Sequence, residues 1–73
     1  MSLPIVDAER TGATLKSKRK EIGLSVTKVA TALYVDERSV YAWERGERLP
    51  SVNTMLILST LYGCTIDDLI VRT

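Results

Sequence analysis

The stretch Ser25-Val-Thr-Lys-Val-Ala-Thr-Ala-Leu-Tyr-Val-Asp-Glu-Arg-Ser-Val-Tyr-Ala-Trp-Glu-Arg-Gly46 decides the fold. It reads as helix, tight turn, helix. Ser25 is a good N-cap, since its hydroxyl can accept a hydrogen bond from a first-turn amide, and Val29, Ala30 and Leu33 follow at helical spacing. The pattern breaks at Tyr34 and Val35. Asp36 offers a new cap at once, after which Val40 and Trp43 give the second helix an apolar edge. Gly46 closes it, because glycine readily takes the left-handed conformation that ends a helix.

On that second helix Arg38, Tyr41, Ala42 and Arg45 fall at i, i+3, i+4 and i+7 and make one outward stripe. A stripe of this kind can enter a groove. Two helices joined by so short a turn, one crossing a phosphate backbone and the next lying among base edges, match a known way of docking on DNA. The same pattern also suits an ordinary αα-hairpin inside a helical bundle.

The ordered set Leu15-Lys-Ser-Lys-Arg19, Gly23-Leu24-Ser25, Ala30, Val40, Trp43-Glu44-Arg45-Gly46, Pro50-Ser51 and Tyr62-Gly63 through Asp67-Asp68-Leu69 distinguishes the two. With these residues the chain resembles the Cro-type, lambda-repressor-like (Xre-like) helix-turn-helix family from about Gly12 to Leu69. The resemblance implies an all-α, compact five-helix domain whose second and third helices form the helix-turn-helix. It also implies that Ala30 is small because the two motif helices touch there, and that Arg19 and Glu44 form a structural ion pair bracing the first helix against the end of the third. Base contacts are expected from Glu37, Arg38, Tyr41 and Ala42, and backbone contacts from Ser25, Val26, Lys28, Arg45 and Arg48.

The chain departs from the family pattern at three places. Val26 stands where relatives often carry glutamine, so it has only its main-chain amide to offer a phosphate. Tyr34 stands where the family turn has glycine, which predicts a bulky residue at positive φ. Asp36 and Glu37 place carboxylates where phosphates would approach, which weighs against tight nonspecific binding. Two readings of these acids stay open: they complement the helix dipole, or Glu37 accepts a hydrogen bond from a cytosine amino group.

A chain of 73 residues makes one small domain, here residues 7–73 behind an extended or frayed, flexible arm at 1–6 that includes a Met-Ser-Leu start resembling a cloning remnant. No apolar run nears the roughly 20 residues that span a membrane, and the start lacks the features of a signal peptide, so a cytoplasmic location is expected. The single cysteine, Cys64, suits a reducing compartment and reads as a small core residue. The net charge of +1 argues against a purely electrostatic mode of DNA binding. Lys16, Lys18, Arg19 and Lys20 are nevertheless crowded together, with Asp67 and Asp68 near the far end. The three lysines are most simply a solvated surface.

Asp7 can cap a first helix running to about Ile22, with Leu15 and Ile22 on its inward face and Gly12 weakening it by about 1 kcal/mol relative to alanine. Pro50 prevents the third helix from running on, and the resemblance implies that Arg48, in the loop before it, reaches a phosphate or a narrow minor groove. Ser51 caps a fourth helix to Tyr62, and Thr65 a short fifth one to Ile70 or Val71 with Ile66 and Leu69 inward. The fourth helix has too many apolar residues for one buried stripe. Ile57 and Leu61 are therefore expected to face outward as a homodimer interface, unless Leu61 fills a deeper core.

The chain has no histidine, no glycine-rich phosphate loop and no ligand cluster at metal spacing, so neither an enzyme, a metal, a cofactor nor a small-molecule ligand is expected. The sequence points instead to a small regulator that binds double-stranded DNA, as a homodimer on a palindromic operator, with repression by steric exclusion. The alternative is a protein-interaction module of the same fold, antirepressor- or antitoxin-like. The low net charge, Val26, Asp36 and Glu37 support it.

Overall fold

The computed structural model describes residues 3–73. Five helices follow in chain order: α1 Ala8–Glu21, α2 Val26–Leu33, α3 Glu37–Glu44, α4 Val52–Tyr62 and α5 Ile66–Leu69. The fold is all-α, and Val6 and Arg72 form an isolated antiparallel bridge. Each helix begins at a side-chain cap. Asp7, Ser25, Asp36, Ser51 and Thr65 accept hydrogen bonds from first-turn amides, and the Asp68 carboxylate accepts one from the Thr65 amide to complete a capping box.

The first four helices end alike. After each, the chain makes a left-handed turn in which one amide reaches back five residues, as in Leu24 to Arg19, Val35 to Ala30, Glu47 to Ala42 and Cys64 to Ser59. Glycine holds the left-handed position at 23, 46 and 63, and at the turn of the helix-turn-helix it is Tyr34, φ 56° and ψ 42°. The positive φ expected there is present.

The core is built from Leu15, Val29, Ala30, Val40, Trp43, Met55, Leu58, Tyr62 and Leu69, with Val26 at its edge. Ala30 is 3% exposed where α2 meets α3. Gly12 does more than weaken α1. A Cβ at that position would come within 2.7 Å of the Glu44 carbonyl oxygen and nearer still to that of Trp43, so α1 crosses the end of α3 with backbone against backbone. Ile22, expected inward with Leu15, is instead 45% exposed. The helix ends at Glu21, and Leu24 beyond the turn packs against the core in its place.

The two ends of the described chain pair with each other. The Asp7 amide donates to the Val71 carbonyl at 2.7 Å and the Thr73 amide to that of Ile5 at 2.8 Å. The fully buried Thr11 hydroxyl accepts from the Val71 amide at 3.0 Å and donates to its carbonyl at 3.3 Å. From Ile5 on, the segment read as a flexible arm is thus extended and hydrogen-bonded. The Met1-Ser2 part of the proposed cloning remnant lies outside the described residues. Helix α5 ends at Leu69, short of the expected Ile70 or Val71, because Ile70 is already extended at ψ 125° to begin this pairing.

Candidate nucleic-acid interface

Burying Val40 and Trp43 orients α3, leaving Glu37, Arg38, Tyr41 and Arg45 on its exposed side. Tyr41 is 46% exposed. Ala42, placed by its spacing on the same stripe, is only 8% exposed. The Glu47 and Arg48 amides both donate to the Ala42 carbonyl at the end of the helix. Ala42 therefore has no free side to offer a base, and the outward edge narrows to Glu37, Arg38, Tyr41 and Arg45.

The end of α3 is anchored from below. Arg19 Nε donates to Glu44 Oε2 at 2.7 Å and Nη2 to Oε1 at 3.0 Å, while Nη1 donates to the Leu24 carbonyl at 2.9 Å. Both side chains are buried. The hydrogen bond to Glu44 holds the Arg19 pKa above its ordinary value despite that burial. Tyr62 is buried beside the pair, and burial first, then the Glu44 charge, pushes its phenol up to about 12. Hydrogen bonds to Arg19 thus tie the end of α3 to α1 and, through the Leu24 carbonyl, to the turn before α2.

The charges on the exposed edge are internally matched. Asp36 Oδ1 accepts from the Arg38 amide at 2.8 Å and from its Nε at 3.2 Å, and Oδ2 accepts from Nη2 at 3.3 Å. Both Asp36 and Arg38 are shifted toward the charged form, chiefly by this side-chain hydrogen bonding. At the other end of α3, Glu47 grips Arg45 in the same way, at 2.9 and 3.0 Å. Glu37 accepts a hydrogen bond from the Thr27 hydroxyl, which ties it across the motif to α2. Neither the Glu47 nor the Thr27 contact was anticipated, although Glu47 stands two residues after Arg45 in the sequence.

The residues expected to face a DNA backbone are differently placed. Ser25 caps α2 by accepting from the Lys28 amide at 3.1 Å. Val26, the first residue of α2, is buried with the core. Lys28 and Arg48 are exposed and belong to none of the ion pairs among the described residues. Lys16 and Lys20 are exposed as well, whereas Lys18 stands 3.8 Å from Glu21.

Away from this edge, Ala32, Leu56, Ile57, Thr60 and Leu61 line an open apolar groove between α2 and α4. Ile57 is 46% and Leu56 51% exposed, while Leu61 is partly packed against the core. No cluster of three or more potential metal-binding side chains occurs among the described residues, and no helix there is long and apolar enough to cross a membrane.

Comparison with known proteins agrees with this geometry. A helix-turn-helix family profile matches residues 15–69. The restriction-modification controller protein C.AhdI from Aeromonas hydrophila superposes with a TM-score of 0.79 at 30% identity, over 86% of this chain and 96% of that one. The BldD DNA-binding domain from S. venezulae gives 0.76 at 28% identity, over 89% and 97%. The fold also recurs in HppE at 22% identity, where the match spans 34% of that chain. No curated protein sequence is a significant match. The profile match over most of the chain, with the braced α3 and its exposed edge, shows that the protein belongs to the lambda-repressor-like (Cro/Xre) helix-turn-helix family of DNA-binding domains.

Proposed function

We propose that the protein is a sequence-specific transcriptional regulator that binds DNA as a homodimer and reads the major groove with α3. The carrying observation is the exposed edge of α3 in a domain that otherwise buries this helix and pins its end through Arg19 and Glu44. Arg38, Tyr41 and Glu37 face the bases. Ser25, the main-chain amide of Val26, Lys28, Arg45 and Arg48 face the phosphates on either side. Likeness to a restriction-modification controller and to the BldD DNA-binding domain supports a regulatory role.

The groove between α2 and α4 is the dimer contact. Ile57, Leu56 and Leu61 of one copy meet those of the other across a two-fold axis, which sets the two α3 helices about 34 Å apart on one face of a palindrome. Bound there, the dimer excludes a competitor from the promoter.

Selection from a random duplex pool, followed by a salt titration on the enriched site, tests the reading. Lys28 and Arg48, which belong to none of the ion pairs among the described residues, give about four phosphate-facing cations per dimer, Arg45 being matched by Glu47, so log K should fall against log salt with a slope of about −4. The internal pairing of Arg38 with Asp36 and of Arg45 with Glu47 favours the second reading, a protein-interaction module. Failure of the wild-type protein to enrich any sequence would decide for that module.

A further inference from the structure

We propose that Asp36 is a positioning residue that presets Arg38 to read a guanine, and that this pair, rather than Arg38 alone, sets base preference at that position. The inference deepens the reading of the protein as a DNA-binding regulator and rests on it.

A guanidinium has five N–H donors in one plane. Asp36 takes two along one side, Nε and one of Nη2, at 3.2 and 3.3 Å. The end of the fork, Nη1 with the second Nη2 hydrogen, is left over, and it points from a side chain that is 91% exposed. Two parallel donors are what the O6 and N7 acceptors of guanine accept in the major groove.

The carboxylate is itself held in place. It caps α3 by accepting from the Arg38 amide at 2.8 Å, so the backbone of the helix fixes the group that fixes the fork. Glu37, the other acid near Arg38, accepts from Thr27. Asp36 is therefore the residue that orders Arg38 before any duplex arrives, and the ordering entropy is not lost again on binding.

Charge decides what the fork selects. An unpaired arginine is drawn to any phosphate, whereas one neutralised by a carboxylate loses much of that attraction and keeps its donors. A guanine edge carries no net charge and suffers little from the nearby acid; a phosphate is repelled by it. Pairing thus exchanges nonspecific affinity for base discrimination.

Site selection with the wild type, Asp36→Ser, Asp36→Asn and Arg38→Ala tests this. Serine keeps the cap but is too short to reach the guanidinium, and asparagine keeps the cap without the charge. Thermal melts of both should match the wild type. The expected result is a G·C pair fixed at one position of each half-site by the wild type and lost in Arg38→Ala. In Asp36→Ser, guanine preference there should fall about tenfold while binding to unrelated duplex at low salt tightens severalfold. Asp36→Asn should fall between. If Asp36→Ser keeps its guanine preference within about twofold, or Arg38→Ala keeps every fixed position, the positioning role is overturned while DNA reading stands. If the wild type selects nothing, DNA reading fails and takes this role with it.

Discussion

Arg19 and Glu44 stand 25 residues apart in sequence and share two hydrogen bonds, of 2.7 and 3.0 Å, at a buried point where α1 crosses the end of α3. Breaking such a pair from one side leaves the other charge without water or partner, which costs about 3–5 kcal/mol, whereas replacing both with apolar groups can be close to neutral. Arg19→Met should therefore lower urea stability by that amount. Arg19→Met with Glu44→Leu should recover most of it, because the stranded carboxylate is gone. A single variant as stable as the wild type would mean that the pair does not brace α3.

Gly12→Ala sets helix propensity against packing, and the two have opposite signs. In an isolated helix alanine gains about 1 kcal/mol over glycine. Here the new methyl would meet the carbonyl oxygens of Trp43 and Glu44, which are backbone and cannot swing aside. Separating α1 from α3 should cost about 1–3 kcal/mol net and strain the Arg19–Glu44 contact as well. A rise in melting temperature would show that the crossing is looser than these distances.

Thr11→Val keeps the shape and removes the hydroxyl that both accepts from and donates to Val71. The Val71 amide then has no partner, at about 1–3 kcal/mol, while its carbonyl keeps the Asp7 amide. Hydrogen exchange should locate the effect: protection at Val71 and Thr73 falls first, and α2 and α3 are spared until global unfolding. Uniform loss of protection would show that the ends are not a separate unit.

The parts legible in the sequence were those governed by local chemistry. Every cap from Asp7 to Thr65 is a short polar residue next to an apolar period, and each left-handed helix end except one is a glycine. Long-range features were legible only through resemblance or not at all. Nothing local ties Thr11 to Val71, and a glycine inside a helix reads as a weakness until α3 is seen lying on it. Ala42 misled for a related reason. Its spacing places it outward on α3, yet it is buried in the fold, and a single-helix pattern carries no information about what the rest of the chain packs against.

Tyr34→Gly should stabilise the fold. Tyr34 is the only non-glycine residue at positive φ among the described residues, and it is 96% exposed, so its ring contributes no packing. A left-handed L-residue costs about 1–2 kcal/mol. Glycine relieves this but adds unfolded-state entropy, leaving a net gain of about 0.5–1 kcal/mol. Equal or lower stability in denaturant would show that the turn bears no strain.

Tyr62 predicts how stability responds to alkali. Its phenol, buried against the Arg19–Glu44 pair, is pushed up to about 12, from the ordinary 10 expected in the unfolded chain. The folded state thus keeps its proton where the unfolded state has lost it. Stability from this group is complete below about pH 10 and is lost as pH rises toward 12, by about 1–2 kcal/mol once screening by solvent is allowed for. Other groups titrate in the same range, so the measurement is a difference. Urea stabilities of the wild type and Tyr62→Phe should run parallel from neutral pH to about pH 10, and the wild type should then fall relative to the variant. A constant difference up to pH 12 would place the phenol within reach of water, and α4 could not then be sealing the brace beneath α3.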